Sequence, residues 1–143
     1  MYATALFPGS FDPFTIGHAA IVNRALKLFD RIVIAVGQNS DKQYMFDADE
    51  RVMMIRMLFG NDPRIKVVSY SDMTVDCCRR ERAAFILRGA RNTDDFEYEQ
   101  TVAAVNRKLA PEIDTVILLA DLEKRDISST VEREKIAHGR IGD

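Results

Sequence analysis

Between Phe7 and His18 the chain gathers Gly9, Ser10, Thr15, Gly17 and His18 directly after a short apolar run. Thr15 suits a helix cap, so the next residues begin a helix whose unpaired N–H groups and positive dipole end favour an anion. His18 then sits in the first turn, where its Nε2 can donate to a phosphate oxygen. Ser10 adds a hydroxyl, Gly9 after Pro8 is expected to turn the backbone sharply, and Gly17 leaves room for a ligand. A second cluster follows another apolar run: Arg88-Gly89-Ala90-Arg91. Two guanidiniums bracketing a glycine suit polyphosphate, because each keeps its charge and offers paired donors. Lys42 is a third cation, flexible enough to reach a transferring phosphoryl group. Each feature also has a plainer explanation: a capped helix with an incidental histidine, surface arginines bridged to Asp94, Asp95 or Glu97, and a solvated lysine. Neither G-x-G-x-x-G nor G-x-x-x-x-G-K-[ST] occurs, so neither a dinucleotide-binding Rossmann site nor a P-loop is supported.

These residues need a scaffold, and the hydrophobic pattern supplies one. Brief apolar runs at 3–7, 32–36, 65–68, 85–87 and 116–119 read as strands of a parallel sheet covered on both faces. Helical periods separate them: Ile21, Ala25 and Leu28, then Val52, Ile55, Met57 and Phe59, then Val102, Val105 and Leu109. Asp47 with Glu50 and Ser129 with Glu132 form capping-box patterns, and Asp62-Pro63 reads as a turn. The alternation predicts an α/β fold, a doubly wound parallel five-stranded sheet of Rossmann-like type, in one domain over residues 1–143. Ligands of such sheets lie beyond the carboxyl ends of the strands. The loops expected to carry chemistry are therefore 8–17, 37–46, 69–74, 88–95 and 120–128.

Composition narrows the partners. With 143 residues, 20 basic and 22 acidic, the formal net charge is −2, which argues against nucleic acid. No apolar run approaches the ~20 residues that cross a bilayer, and the N-terminal residues do not read as a signal peptide. Cys77 and Cys78, the two cysteines, are adjacent and read as reduced thiols on a helix. No membrane partner and a cytoplasmic location are expected.

Taken whole, Phe7-Pro8-Gly9-Ser10-Phe11-Asp12-Pro13-Phe14-Thr15-Ile16-Gly17-His18 resembles the opening of the bacterial phosphopantetheine adenylyltransferase family. That family carries a histidine–x–glycine–histidine signature, here in its threonine-led form Thr15-Ile16-Gly17-His18. Arg88-Gly89-Ala90-Arg91 with Asp95-Phe96-Glu97-Tyr98-Glu99 resembles the family's second signature. The resemblance implies adenylyl transfer from ATP to 4′-phosphopantetheine, giving dephospho-coenzyme A and pyrophosphate, with Mg²⁺ bridging the phosphates. It implies His18, Lys42 and Arg91 as donors to the transition state, and a homo-oligomer, a hexamer, as the assembly. It places Ser10, Phe11, His18, Gly89, Ala90, Arg91 and Glu99 on ATP, and Ser10, Lys42, Thr74 and Arg88 on the acceptor.

Toward the C-terminus, Lys124, Arg125, Asp126, Ile127, Ser128, Ser129 and Thr130 correspond to the family's remaining ATP segment. Ile127 to Thr130 match it, whereas Lys124 and Asp126 replace less charged residues. Ser128 and Ser129 can cap a last helix and present N–H groups to the β- or γ-phosphate. The chain stops at Asp143, earlier than related proteins. The competing readings are a cytidylyltransferase, a nicotinamide mononucleotide adenylyltransferase, and a nucleotide-binding regulatory domain without turnover. The second signature favours phosphopantetheine.

Overall fold

The computed structural model describes residues 2–120. Within them the chain alternates β1 (Thr4–Gly9), α1 (Ile16–Ala25), β2 (Arg31–Gly37), α2 (Ala48–Phe59), β3 (Ile65–Tyr70), α3 (Thr74–Glu81), β4 (Phe85–Ala90), α4 (Thr93–Leu109) and β5 (Asp114–Leu119). The expected last helix, its Ser129–Glu132 cap and the 124–130 segment lie outside the described residues. The strands form one sheet of order β3-β2-β1-β4-β5, with parallel pairing throughout. Strand order reverses between β1 and β4, so the carboxyl ends of those strands mark the switch point.

Strand periodicity sorts the apolar runs onto two faces. Ala5, Phe7, Ile32, Ile34 and Val36 meet α1 and α2 through Ile21, Val22, Val52 and Ile55. Leu6, Val33 and Ala35 face the other way and pack with Val75, Cys77 and Cys78 of α3. Both faces of β1 and β2 are buried, which is why these strands read as continuous hydrophobic runs rather than alternating ones.

Three helical stripes are narrower than their periods suggest. Leu28 lies beyond the end of α1 and is 60% exposed, and Phe29 takes the buried place beside it. On α2, Met57 is 76% exposed while Arg51 is 1% exposed, so the buried face runs through Arg51, Val52 and Ile55. Val105 and Leu109 are exposed too, and the residue α4 buries is Glu99.

The start of α2 follows the expected chemistry, whereas α3 begins after Met73 without a side-chain cap. Asp47 accepts from the Glu50 N–H while the Asp47 N–H donates to Glu50 Oε1. Asn92 caps α4 by accepting from the Asp95 N–H at 2.8 Å. The Asp62-Pro63 turn closes through Asp62, which accepts from the Arg64 N–H.

Candidate active site

Thr15 and His18 form a reciprocal cap at the start of α1. The His18 N–H donates to Thr15 Oγ1, and the Thr15 N–H donates to His18 Nδ1 at 2.9 Å. A backbone N–H can only donate, so Nδ1 must carry a lone pair and the ring proton of the neutral imidazole sits on Nε2. The ring stands edge-on to Phe11 with centroids 5.0 Å apart and beside Phe14 at 5.2 Å. Burial among these rings, with the nearby Arg88 and Arg91 charges, holds the imidazole below its ordinary pKa. His18 is therefore neutral near pH 7, with its donor fixed at Nε2.

The sharp turn after β1 is made by a different residue from the one expected. Gly9 ends the strand in ordinary backbone, and Phe11 takes the positive φ, 49°. Gly9 is required for a packing reason: a Cβ there would stand 2.8 Å from the Phe11 ring. The strained Phe11 backbone is held by its 4% exposed ring, which packs edge-on against Phe7 and Phe14. At Gly17 a Cβ would meet only Thr15 Oγ1, at 3.5 Å, so the protein itself leaves that approach open.

Arg88 and Glu99 form the wall at the switch point. Arg88 Nε and an Nη each donate to one Glu99 oxygen at 2.8 Å, while the other Nη donates to the Pro8 carbonyl. Glu99, not the nearer Asp94, Asp95 or Glu97, is thus the partner of Arg88. Burial opposes the Arg88 charge, but Glu99 outweighs it and the guanidinium is held above its ordinary value. Arg91 differs: its N–H donates to Asp95, and among the described residues its guanidinium has no acceptor.

Two clefts open on either side of this wall and share Ser10, Arg88 and Glu99. The cleft over α1, about 750 Å³, is lined by Phe11, Gly17, His18, Gly89 and Arg91. The other, about 970 Å³, is lined by Lys42, Tyr44, Arg51, Tyr70 and Thr74. The fold therefore sorts the sequence-derived candidates into two groups. Those tied by resemblance to ATP sit in the first cleft and those tied to the acceptor sit in the second. Ala90 is the exception: it lines neither cleft, is 2% exposed, and its carbonyl accepts from the Ala120 N–H. Lys124, Arg125, Asp126, Ile127, Ser128, Ser129 and Thr130 lie outside the described residues.

A family model described as cytidylyltransferase-like matches residues 6–135. The chain is 49% identical over 136 residues to the phosphopantetheine adenylyltransferase of Phocaeicola vulgatus, covering 95% of this chain and 89% of that protein. The chain belongs to the phosphopantetheine adenylyltransferase family. A protein of the same name from Leptospira biflexa serovar Patoc is 46% identical over 140 residues, 98% of this chain and 88% of that one. Among solved structures, a bifunctional NMN adenylyltransferase/ADP ribose pyrophosphatase from Francisella tularensis superposes with a TM-score of 0.63 at 20% identity. It covers 97% of this chain and 43% of that chain. The lipopolysaccharide core biosynthesis protein from Thermoplasma volcanium gives 0.62 at 20% identity, over 87% of this chain and 100% of that one. At such identities the likeness concerns the fold.

Several residues that shape the candidate site have no role assigned from the sequence. Asp12 accepts from the Met45 and Phe46 N–H groups, tying the loop after β1 to the loop after β2. Tyr70 hydrogen-bonds through its hydroxyl to Thr74 Oγ1 at 3.0 Å, so the candidate Thr74 is held from β3. Arg51 crosses beneath both loops. An Asp before a proline, a tyrosine ending a strand and an arginine early in a helix all have commoner surface explanations. Only their partners, distant in sequence, distinguish them.

Proposed function

We propose that the chain transfers an adenylyl group from ATP to 4′-phosphopantetheine, releasing pyrophosphate and forming dephospho-coenzyme A. One observation carries this reading. At the switch point the family's two signatures meet at one wall, with His18 and Arg91 on one side, Lys42 and Thr74 on the other, and Ser10 on both. Two ligands seated in the two clefts would meet where the clefts share Ser10 and Arg88, which would bring an acceptor oxygen up to the α-phosphorus for in-line displacement.

In this reading an oxygen of the acceptor phosphate forms a bond to the α-phosphorus as the bond to the pyrophosphate oxygen breaks. A phosphate monoester is already nucleophilic at neutral pH, so no protein base is needed. The residues align the reactants and meet the charge that spreads over the α-phosphoryl oxygens. His18 donates from Nε2, while Lys42 and Arg91 bring mobile positive charge. Ser10, Phe11, Gly89 and Glu99 line the nucleotide side, and Thr74 and Arg88 serve the acceptor. Mg²⁺ is proposed as the cofactor and would be held chiefly by the triphosphate, where it would supply charge neutralisation. The substrate's own phosphate oxygens would supply most of its ligands.

A homo-oligomer, a hexamer by family resemblance, is proposed for the assembly. Exposed apolar side chains on α2 and α4, such as Met57, Leu58, Val105 and Leu109, support buried interfaces. Sedimentation at several concentrations tests it. A cytoplasmic location accords with the buried, reduced Cys77 and Cys78.

The deciding assay is pyrophosphate release with ATP and 4′-phosphopantetheine. Turnover with that pair, and none when CTP replaces ATP or nicotinamide mononucleotide replaces the acceptor, is expected. ATP binding without turnover overturns the catalytic reading.

A further inference from the structure

The least conventional side chain in the acceptor cleft is Arg51. It lies in the first turns of α2, is 1% exposed, and lines the cleft. One Nη donates to the Ser10 carbonyl at 2.7 Å and the Gly37 carbonyl at 2.9 Å. Its Nε donates to the Phe46 carbonyl at 3.0 Å, and the Tyr44 ring covers the guanidinium at 4.0 Å. Among the described residues no carboxylate forms an ion pair with it. A charge removed from water and compensated only by carbonyl dipoles and an aromatic face is costly to keep. A single fold-stabilising contact would need less.

The acceptors identify what the charge holds. Gly37 and Phe46 are the two ends of the loop that carries Lys42, and Ser10 belongs to the loop after β1. Tyr44, stacked on the guanidinium, accepts from the Asn39 N–H through its hydroxyl at 2.9 Å, and the Lys42 N–H donates to the Asn39 carbonyl at 3.0 Å. Lys42 is thereby bracketed by a ring of contacts that closes on Arg51. Asp12 ties the same loop to residues after β1 by a separate route. The charges around the cleft differ in availability. Arg88 is matched by Glu99, Asp72 by Arg80, and Asp47 is engaged in capping α2. The Arg51 charge has no such match.

We infer that Arg51 is a positioning residue. It fixes the backbones that present Lys42 and Ser10 to the acceptor phosphate, and it places unmatched positive charge beneath that cleft. The inference rests on the proposed acceptor chemistry for its kinetic consequences but not for its structural ones. Lysine keeps the charge at this position yet has one nitrogen where the guanidinium reaches four backbone carbonyls, those of Ser10, Gly37, Phe46 and Asp47, in different directions.

The test uses the full chain with Arg51→Lys and Arg51→Met. KM for 4′-phosphopantetheine, KM for MgATP and kcat are measured, together with thermal unfolding and amide exchange. Both variants are expected to raise the acceptor KM about tenfold or more and to lower kcat, with the MgATP KM changed less than threefold. Amide exchange is expected to quicken in residues 10–12 and 38–46 and to stay unchanged in β1, β2 and β4. Wild-type kinetics in Arg51→Lys would overturn the role. So would parallel rises in both KM values with exchange quickened throughout the sheet. If Arg51→Met does not fold, Tyr44→Leu decides, since it removes the stacking face and the hydroxyl that accepts from the Asn39 N–H while leaving Arg51 itself in place. It is expected to raise the acceptor KM several-fold without quickening exchange in the sheet, and an unchanged acceptor KM counts against the inference. If the wild-type chain shows no turnover, the proposed function fails, and localised exchange in Arg51→Lys still judges the clamp separately.

Discussion

Replacing His18 separates two tasks that one imidazole performs. Nδ1 accepts from the Thr15 N–H at 2.9 Å and closes the cap of α1, while Nε2 carries the proton offered to substrate. In His18→Asn the amide oxygen takes the place of Nδ1 and nothing replaces Nε2. Its stability is expected to stay within about 0.5 kcal/mol of the wild type, whereas kcat falls by about 10²–10³ for the loss of one transition-state donor. His18→Ala loses both contacts. It is expected to show the same fall in kcat and a further loss of about 0.5–1 kcal/mol, or about 2–4 °C in Tm. Pyrophosphate release and thermal unfolding of the two variants read these effects side by side. Turnover of His18→Asn within tenfold of the wild type would refute the assignment of Nε2 as donor. An unchanged Tm for His18→Ala would refute the cap. The same ring predicts a pH effect. Its native pKa lies below the ordinary 6.5, so the unfolded chain takes up the proton first. Stability linked to His18 is complete above pH 6.5 and declines as the pH falls from there through the lowered native value. Relative to wild type, His18→Asn is expected to lose less stability across that interval in denaturant titrations.

Glu99→Gln strips the wall arginine of its charge partner. Removing one member of a buried pair costs about 3–5 kcal/mol, and with Arg88 29% exposed and still bound to the Pro8 carbonyl, about 2–3 kcal/mol is expected. Thermal unfolding measures it, and added inorganic phosphate is expected to restore part of the loss. Gly9→Ala forces a Cβ against the Phe11 ring and is expected to cost about 1–3 kcal/mol; an unchanged Tm would show that the ring moves aside freely. Burial raises both thiols, Cys78 to about 12, so neither is expected to react with a thiol reagent at pH 8 until the protein is unfolded.

Alternating apolar runs and capping residues carried the fold in the sequence, because burying both faces of a parallel sheet demands long hydrophobic strands at regular spacing. Thr15, Gly17 and His18 were legible for a similar reason: a helix start is a local structure, and its anion-binding capacity follows from residues adjacent in the chain. The pairing of Arg88 with Glu99 was not legible in the same way. Several carboxylates lie close to Arg88 in sequence, and only the descent of α4 across the end of β4 selects among them. The turn at Phe11 was likewise hidden, since glycine is the ordinary residue for positive φ and a buried aromatic cluster had to override that preference.

What the sequence determined alone was the order of strands and helices, the helix start that offers His18, and the family signatures that imply adenylyl transfer. Those depend on neighbours a few residues apart. Tertiary structure decided which charges remain available. Arg88 is paired with Glu99, Arg51 is buried under two loops with no carboxylate paired to it among the described residues, and Lys42 is bracketed by residues on either side of it. The physical reason is that desolvation and pairing are set by everything packed around a group, and in this fold those neighbours arrive from other strands and helices.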